Sequence, residues 1–455
     1  MAPLIRVAAD EDSAVIEVGR TVVFRLECII AAQACSSGGA LFYVRFYGPA
    51  IQLPDSILDH RNGSYGVVAT FYDAGAWFME AVVGYSTAPD SSQLFPNKTA
   101  DVPYEGYPVQ DSPLAFKVVE AAQQDLPVQP WCRPSQLNRL QGRWNLIGRM
   151  QPTNEIHSSS SLLGLRFRFQ PYACRLLPLR RLLHGCSSLV APRQVIFVGD
   201  STVRLQFDAF QEQKKSCSKP LHWQAHYIDT SSGLRVRLGE VTQKLYDIRK
   251  RYRNSSMAVL FNSGLHDADK YCSAAWSSWR KATLGSDDVS NCLADYGKLL
   301  VSLQRHLLSL SPLPLVVFRS STSAWQKWGN WGFRWPSDKL QVFTQSTAMV
   351  ARMNRKAALV LNSKIPVIDG YHLTLSRPDH TQISPKQEIG KHLVHHGDEV
   401  NAVLNLLFVH LILANIDEDK YMRCASSHSN SNGAFGARSS MASAEGSPPP
   451  LARLD

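Results

Sequence analysis

Two patterns of hydrophobic positions divide the chain. Between residues 12 and 120, short runs rich in β-branched and aromatic residues recur at roughly ten-residue spacing with turn signals between them. The runs are Ala14–Val18, Thr21–Cys28, Leu41–Tyr47, Tyr65–Tyr72, Trp77–Gly84 and Leu114–Val119. Asn62-Gly63 predicts a tight turn before the fourth run. Together they predict an all-β sandwich over 12–120.

Over 191–424 the pattern changes to apolar runs that each end in polar residues. Val195–Val198 precedes Gly199-Asp200-Ser201, and Ala258–Phe261 precedes Asn262-Ser263-Gly264-Leu265-His266-Asp267. Leu315–Phe318 precedes Arg319-Ser320-Ser321-Thr322, and Val367–Ile368 precedes Asp369. Helical patterns separate them, notably Thr202–Gln213, Leu293–Leu310 and Phe343–Leu361. Apolar strands alternating with helices predict an α/β domain with a parallel sheet covered on both faces. Ligands of such sheets sit beyond the carboxyl ends of the strands, so all four polar clusters converge on one region.

The remaining segments carry weaker patterns. Residues 121–190 read as a connector, with Trp131-Cys132 and Gly142-Arg143-Trp144 as a clasp over the domain that follows. Residues 425–455, rich in Ser, Ala, Gly and Pro, read as a disordered tail. Val400–Ile416 is the longest apolar stretch, but Asn401, Asn405 and His410 interrupt it. It reads as a packed helix, and no integral membrane segment is expected.

Composition narrows the setting. A chain of 455 residues holds two or three domains. Its net charge of +10 favours acidic surfaces as partners. The basic residues are scattered, with only short clusters such as Arg249-Lys250-Arg251, and no nucleic-acid motif accompanies them. None of the nine cysteines forms a C-x-x-C pair, which argues against a zinc ribbon or a thioredoxin-like site. Their spread favours disulfides, with Cys174–Cys186 and Cys272–Cys292 as expected pairs. The sequons at Asn62, Asn97 and Asn254 fit a secretory route, Golgi or extracellular. Met1 to Asp10 lacks the apolar core of a signal peptide, so the start reads as incomplete. Walker A, dinucleotide and H-E-x-x-H motifs are absent, and neither a metal nor a cofactor is expected.

The chemistry lies in the polar clusters. A serine hydroxyl is a poor nucleophile until a base removes its proton. Ser201 sits where a strand turns into a helix, so N–H groups and the helix dipole favour a developing oxyanion there. The same turn also suits Asp200 or Ser201 as a plain helix cap. His372 is the candidate base and Asp369 its orienting acid; His395 and His380 are alternative bases. Gly199, Asp200, Asn262 and Gly264 are oxyanion or supporting candidates. Arg204, His266, Arg319, Trp325 and Trp328 are candidates for binding a polar substrate, the tryptophans by stacking on sugar rings. Trp clusters also serve as core.

Two stretches resemble known families. Asp59-His60-Arg61-Asn62-Gly63-Ser64-Tyr65 followed by Gly75-Ala76-Trp77-Phe78 resembles the end of a filamin-type immunoglobulin-like repeat. Gly199-Asp200-Ser201 with Asp369-Gly370-Tyr371-His372-Leu373 resembles the GDS and D-x-x-H blocks of SGNH-type PC-esterases, a group that includes glycan O-acetyltransferases. The order of immunoglobulin-like domain, Cys/G-R-W connector and esterase domain resembles the neurexophilin-and-PC-esterase family. That resemblance implies a flavodoxin-like α/β/α sandwich, with Ser201 as nucleophile, His372 as base and Asp369 as acid. It implies a carbohydrate O-acetyl esterase or O-acetyltransferase of the secretory pathway, whose partners are an acyl donor and a glycan or other polar acceptor. The chain departs from the group after His372, where Leu373-Thr374-Leu375 replaces the plant H-W-C-L-P-G continuation. Asn262-Ser263-Gly264 likewise stands in place of Gly-x-Asn. The rival reading is a secreted binding or adhesion protein that uses the sandwich, with the esterase-like half as scaffold.

Overall fold

The computed structural model describes residues 4–9, 16–30, 33–34, 40–86, 107–121, 129–149, 165–179, 182, 193–215, 223–268, 286–323, 347–361, 365–377, 396–416 and 418–427. The first half is built from β1 (Leu4–Ala9), β2 (Ile16–Glu17), β3 (Thr21–Ile30), β4 (Gln33–Ala34), β5 (Ala40–Tyr47), β6 (Ala50–Gln52) and β7 (Ser56–Asp59). It continues through β8 (Ser64–Thr70), β9 (Gly75–Ser86), β10 (Tyr107–Pro108), β11 (Leu114–Val119), β12 (Gly142–Arg149) and β13 (Leu165–Pro171). One sheet has the order β1-β3-β8-β7, with β4 on β3. The other has the order β13-β12-β6-β5-β9-β11-β2, with β10 on β9.

Alternation decides what lies between these sheets. Phe24 and Leu26 of β3 and Tyr65, Val67 and Ala69 of β8 point inward from the first sheet. Phe42, Val44 and Phe46 of β5 and Trp77, Met79 and Ala81 of β9 meet them from the second. Their rings pack edge-on, as in Phe46–Phe71 at 5.1 Å between centroids, the geometry that aromatic quadrupoles favour. The turn at Asn62-Gly63 forms as expected, joining β7 to β8. The Asn62 side-chain oxygen accepts from the Ser64 N–H at 3.1 Å, and Gly63 takes a positive φ of 82°.

The segment expected as a connector does more than connect. Its hairpin β12–β13 joins the second sheet through β6, where Trp144 pairs with Ile51. A disulfide ties Cys132 to Cys174, which corrects the expected Cys174–Cys186 pair; the bond closes the segment on itself across the hairpin. Cys292 is disulfide-bonded as well, while its expected partner Cys272 lies outside the described residues. Residues 155–161 and the tail 428–455 also lie outside them.

The second half is a parallel sheet of β14 (Arg193–Gly199), β15 (Trp223–Asp229), β16 (Ser256–Phe261), β17 (Leu315–Arg319) and β18 (Val367–Ile368). The order β15-β14-β16-β17-β18 reverses direction between β14 and β16, and every pairing is parallel. Among the described residues seven helices accompany it: α1 (Ser201–Lys215), α2 (Leu234–Arg251), α3 (Ser286–Ser309), α4 (Thr347–Leu361), α5 (Gly370–Leu375), α6 (Asp398–Ile416) and α7 (Glu418–Ser427). Successive strand residues face opposite layers. Val195, Phe197, Ala258, Leu260, Val317 and Ile368 pack with α1 and α6. Ile196, Val198, Val259, Phe261, Val316 and Phe318 pack with α2, α3 and α4. The result is the expected three-layer α/β/α arrangement, with β15 added to the strands read from the sequence.

Among the described residues one helix, α6, is long and apolar enough to cross a membrane, yet 72% of that stretch is buried inside the protein. It packs against α1, where the Asn405 amide donates to the Gln206 carbonyl at 3.1 Å. His410 of α6 is fully buried between Tyr421 Oη, 2.5 Å from Nδ1, and the Leu177 carbonyl, 3.1 Å from Nε2. Burial pushes this imidazole down to about 4, against a small opposing effect of the Leu177 hydrogen bond. The unfolded chain therefore takes up a proton near pH 6.5 that the folded chain refuses until about pH 4. Stability rises with pH wherever the unfolded state binds more protons, so this contribution is present above pH 6.5 and is lost as pH falls towards 4. The loss amounts to ~3 kcal/mol. Urea unfolding at a series of pH values checks it: His410→Gln flattens that part of the profile.

Candidate active site

The polar clusters after β14, β16, β17 and β18 lie at one end of one sheet, flanking the reversal of strand order where α/β sheets bind ligands. The first is a tight turn. Gly199 closes β14, where an added Cβ would strike the Val203 side chain, so only glycine lets α1 start this close to the strand. Asp200 caps α1: its Oδ1 accepts from the Thr202 N–H at 2.9 Å and the Thr202 hydroxyl at 2.6 Å. Ser201 is the first residue of α1 and is partly buried. Tyr227 of β15 braces the turn from the side, its hydroxyl 2.9 Å from the Gly199 carbonyl and 3.0 Å from that of Asp200. Burial and the nearby Asp229 carboxylate push the Tyr227 phenol up, so it stays a hydrogen-bond donor.

The second centre follows β18. The Asp369 carboxylate lies 2.6 Å from His372 Nδ1 through Oδ2. Its Oδ1 accepts from the His372 N–H at 3.1 Å and from the Ser320 hydroxyl at 3.3 Å. The one carboxylate therefore caps α5 and orients the imidazole borne on its first turn. Burial favours the neutral acid at Asp369, but the His372 hydrogen bond and charge outweigh it and lower the carboxyl. Burial likewise disfavours a charged His372, and the same partnership overrides it and raises the imidazole. The His372 side chain remains 49% exposed, so its far edge reaches solvent.

A buried polar floor joins the two centres. Arg319, at the end of β17, is fully buried and its guanidinium turns towards α1. It donates to the Thr202 hydroxyl at 2.5 Å, the Thr202 carbonyl at 3.3 Å and Gln206 Oε1 at 3.3 Å. Desolvation lowers it to about 10 against the Asp200 charge, which leaves it cationic at neutral pH. The next residue, Ser320, accepts from the Tyr371 N–H at 3.0 Å while holding Asp369. Thr202, Arg319, Ser320 and Asp369 thus form a linked series between the Ser201 turn and the His372 pair.

Several expectations change on this floor. Arg319 turns its two terminal nitrogens to α1 and, fully buried, does not face a substrate. Both amide hydrogens of Asn262 are taken, by the Arg319 carbonyl at 2.9 Å and Ser321 Oγ at 3.1 Å, so its side chain is not a free oxyanion donor. Gly264 packs so tightly on Ser321 that any side chain would strike its hydroxyl. Asp267 is buried, bonded to the Ser263 hydroxyl, and caps α2 through the Arg235 N–H at 3.0 Å. Burial raises its carboxyl. His266 is partly exposed beside this cluster, and Arg204 is exposed on α1. Trp325, Trp328, His380 and His395 lie outside the described residues. Tyr227 is a support that motif reading passes over; Ser320, part of the polar cluster read as binding a substrate, braces Asp369. Among the described residues no group of three His, Cys, Asp or Glu side chains is placed to hold a metal.

No family model matches the chain, and no curated protein matches it. Among solved structures, the Lin-41 filamin domain aligns at 12% identity over 26% of this chain and 98% of its own, with a TM-score of 0.17. An extracellular lipase from Streptomyces rimosus aligns at 12% identity over 47% of this chain and 98% of its own, with a TM-score of 0.30. A Slackia heliotrinireducens protein proposed to be an SGNH hydrolase gives 13%, 48%, 98% and 0.28 in the same order. The structural neighbours thus include lipases, an SGNH-type hydrolase and a filamin domain, at similarities too low to say more than that.

Proposed function

We propose that this protein is a serine-dependent carbohydrate O-acyl esterase or O-acetyltransferase. The observation that carries the reading is the Asp369–His372 pair, 2.6 Å between Oδ2 and Nδ1, at the same sheet end to which β14 delivers Ser201. Ser201 Oγ attacks the ester carbonyl while His372 Nε2 takes the hydroxyl proton, and Asp369 stabilises the imidazolium through Nδ1. The positive end of the α1 dipole stabilises the developing oxyanion. Collapse of the tetrahedral species breaks the bond to the leaving oxygen, which departs with the proton from His372 and leaves acyl-Ser201. Water or a sugar hydroxyl then attacks the acyl group, giving up its proton to His372, which passes it to Ser201 Oγ as the acyl–serine bond breaks and the acid or acylated sugar leaves.

The Cys132–Cys174 disulfide supports a secretory setting, since such bonds persist in oxidising compartments. The net charge of +10 supports an acidic glycan as the acceptor.

Intact-mass spectrometry after brief exposure to 4-nitrophenyl acetate tests the proposal. The parent protein gains one acetyl group, and Ser201→Ala gains none. Equal labelling of the two, or no labelling of either, rejects the serine as nucleophile.

A further inference from the structure

The opposite end of the parallel sheet carries a second polar feature. A cavity of about 390 Å³ opens there between the amino ends of β14, β16 and β17, lined by Arg193, Arg249, Arg253, Asn254, Asn415 and neighbouring backbone. Its volume falls in the range of pockets that hold small organic ligands, about 300–1,000 Å³. None of the described lining residues is acidic.

The three arginines differ in what holds them. Arg249 closes the last turn of α2 and gives its donors to carbonyls: Ser311 at 3.1 Å, Ser255 at 2.8 Å and Pro312 at 2.5 Å. It is a structural clamp, favoured by the negative end of the helix dipole. Arg193 is only 4% exposed, and its Nε is buried without a hydrogen-bond partner. The Trp223 ring lies 6.0 Å from its guanidinium carbon. Desolvation lowers the Arg193 guanidinium, with no carboxylate opposing the effect. Arg253 stands exposed at the rim.

A buried guanidinium ordinarily has a carboxylate or another acceptor, because an uncompensated charge is costly to desolvate. Among the described residues the cation and the cavity are present but no anion is. We propose that this cavity binds a phosphate or sulfate ester, with Arg193 and Arg253 gripping the oxyanion. Planar guanidinium forks match tetrahedral oxyanions well. The site is independent of the Ser201 chemistry: β14 spans seven residues, from Arg193 to Gly199, so the two lie ~20 Å apart.

Isothermal titration of the full chain with inorganic phosphate, inorganic sulfate and glucose 6-phosphate tests this, at an ionic strength matched with sodium chloride to remove diffuse attraction. Saturable binding with a dissociation constant below about 1 mM is expected. Arg253→Gln, on the exposed rim, weakens it at least fivefold by removing one charge-assisted arm, an order-of-magnitude expectation of about that size. Arg193→Gln abolishes it. Glucose 6-phosphate binding about tenfold tighter than the inorganic ions identifies an ester ligand, and equal affinity identifies the free ion. No saturable heat with any probe, or affinity unchanged in Arg253→Gln, overturns the proposal whether or not Arg193→Gln folds.

Discussion

Asp369→Asn lowers ester turnover by roughly 10³- to 10⁴-fold without unfolding the protein, a loss of the size seen when a triad carboxylate becomes an amide. The carboxylate now accepts from His372 Nδ1, from the His372 backbone N–H and from the Ser320 hydroxyl. An asparagine has one oxygen to share among them. Turning that oxygen to the backbone N–H keeps the α5 cap but presents an amide N–H to Nδ1. The imidazole then carries its proton on Nε2 and cannot take one from Ser201. The pH profile separates this from a general loss of structure. In the parent, Asp369 overrides burial and raises the imidazole above 6.5, so kcat/KM climbs with pH through a midpoint above that value as the base loses its proton. In Asp369→Asn only burial remains, and the rising limb moves to lower pH. A limb that stays in place shows that the titrating base is not His372.

Arg319→Met costs about 3–5 kcal/mol of stability, the usual penalty for removing one member of a buried charge network. Met fills much of the volume, so the loss is not chiefly a cavity. The Thr202 carbonyl and Gln206 Oε1 lose a donor, and Asp200, 4% exposed, loses a compensating cation. Guanidinium chloride unfolding measures the cost. Acetylation by 4-nitrophenyl acetate, run well below the midpoint, reads the second effect. With the Thr202 anchor gone the start of α1 drifts, and labelling of Ser201 slows even in molecules that remain folded. Arg319→Lys keeps the charge but not the fork, and recovers more stability than labelling. Equal recovery of both would confine Arg319 to stability.

These two residues also mark how far the sequence could be read. The strands β14, β16 and β17 were legible because both faces are buried, which leaves uninterrupted apolar runs such as Val195–Val198. Strand β15 was not, because it lies at the sheet edge: Gln224 is exposed and His226 and Tyr227 only partly buried, so the run is broken by polar residues. The Asp369–His372 pair was legible from its three-residue spacing, which a cap and a first helical turn convert into contact. Where Arg319 points was not. Position after a strand places a residue at the sheet's end but does not choose between substrate and protein interior. The Asn262 amide was misread for the same reason. The Cys132–Cys174 pairing depends on the hairpin between them, a long-range fact that spacing does not encode.

The clasp predicted at Trp144 has a consequence for what counts as a unit in this chain. The Trp144 indole N–H donates to the Leu373 carbonyl of α5 at 3.1 Å. Arg377, just beyond, is fully buried with Trp144 at 4.9 Å and Phe167 at 4.5 Å from its guanidinium carbon. Val367 of β18, the edge strand, receives the Arg139 N–H at 3.0 Å and gives its own to Asn138 at 2.9 Å. The strands that supply Trp144 and Phe167 belong to the sandwich's sheet, yet they wall the helix that bears His372. A fragment cut at residue 191 would strip that wall and bare the β18 edge. The two halves therefore work as one structural piece: a transplant of the parallel sheet alone into another protein would carry the serine but not a settled histidine.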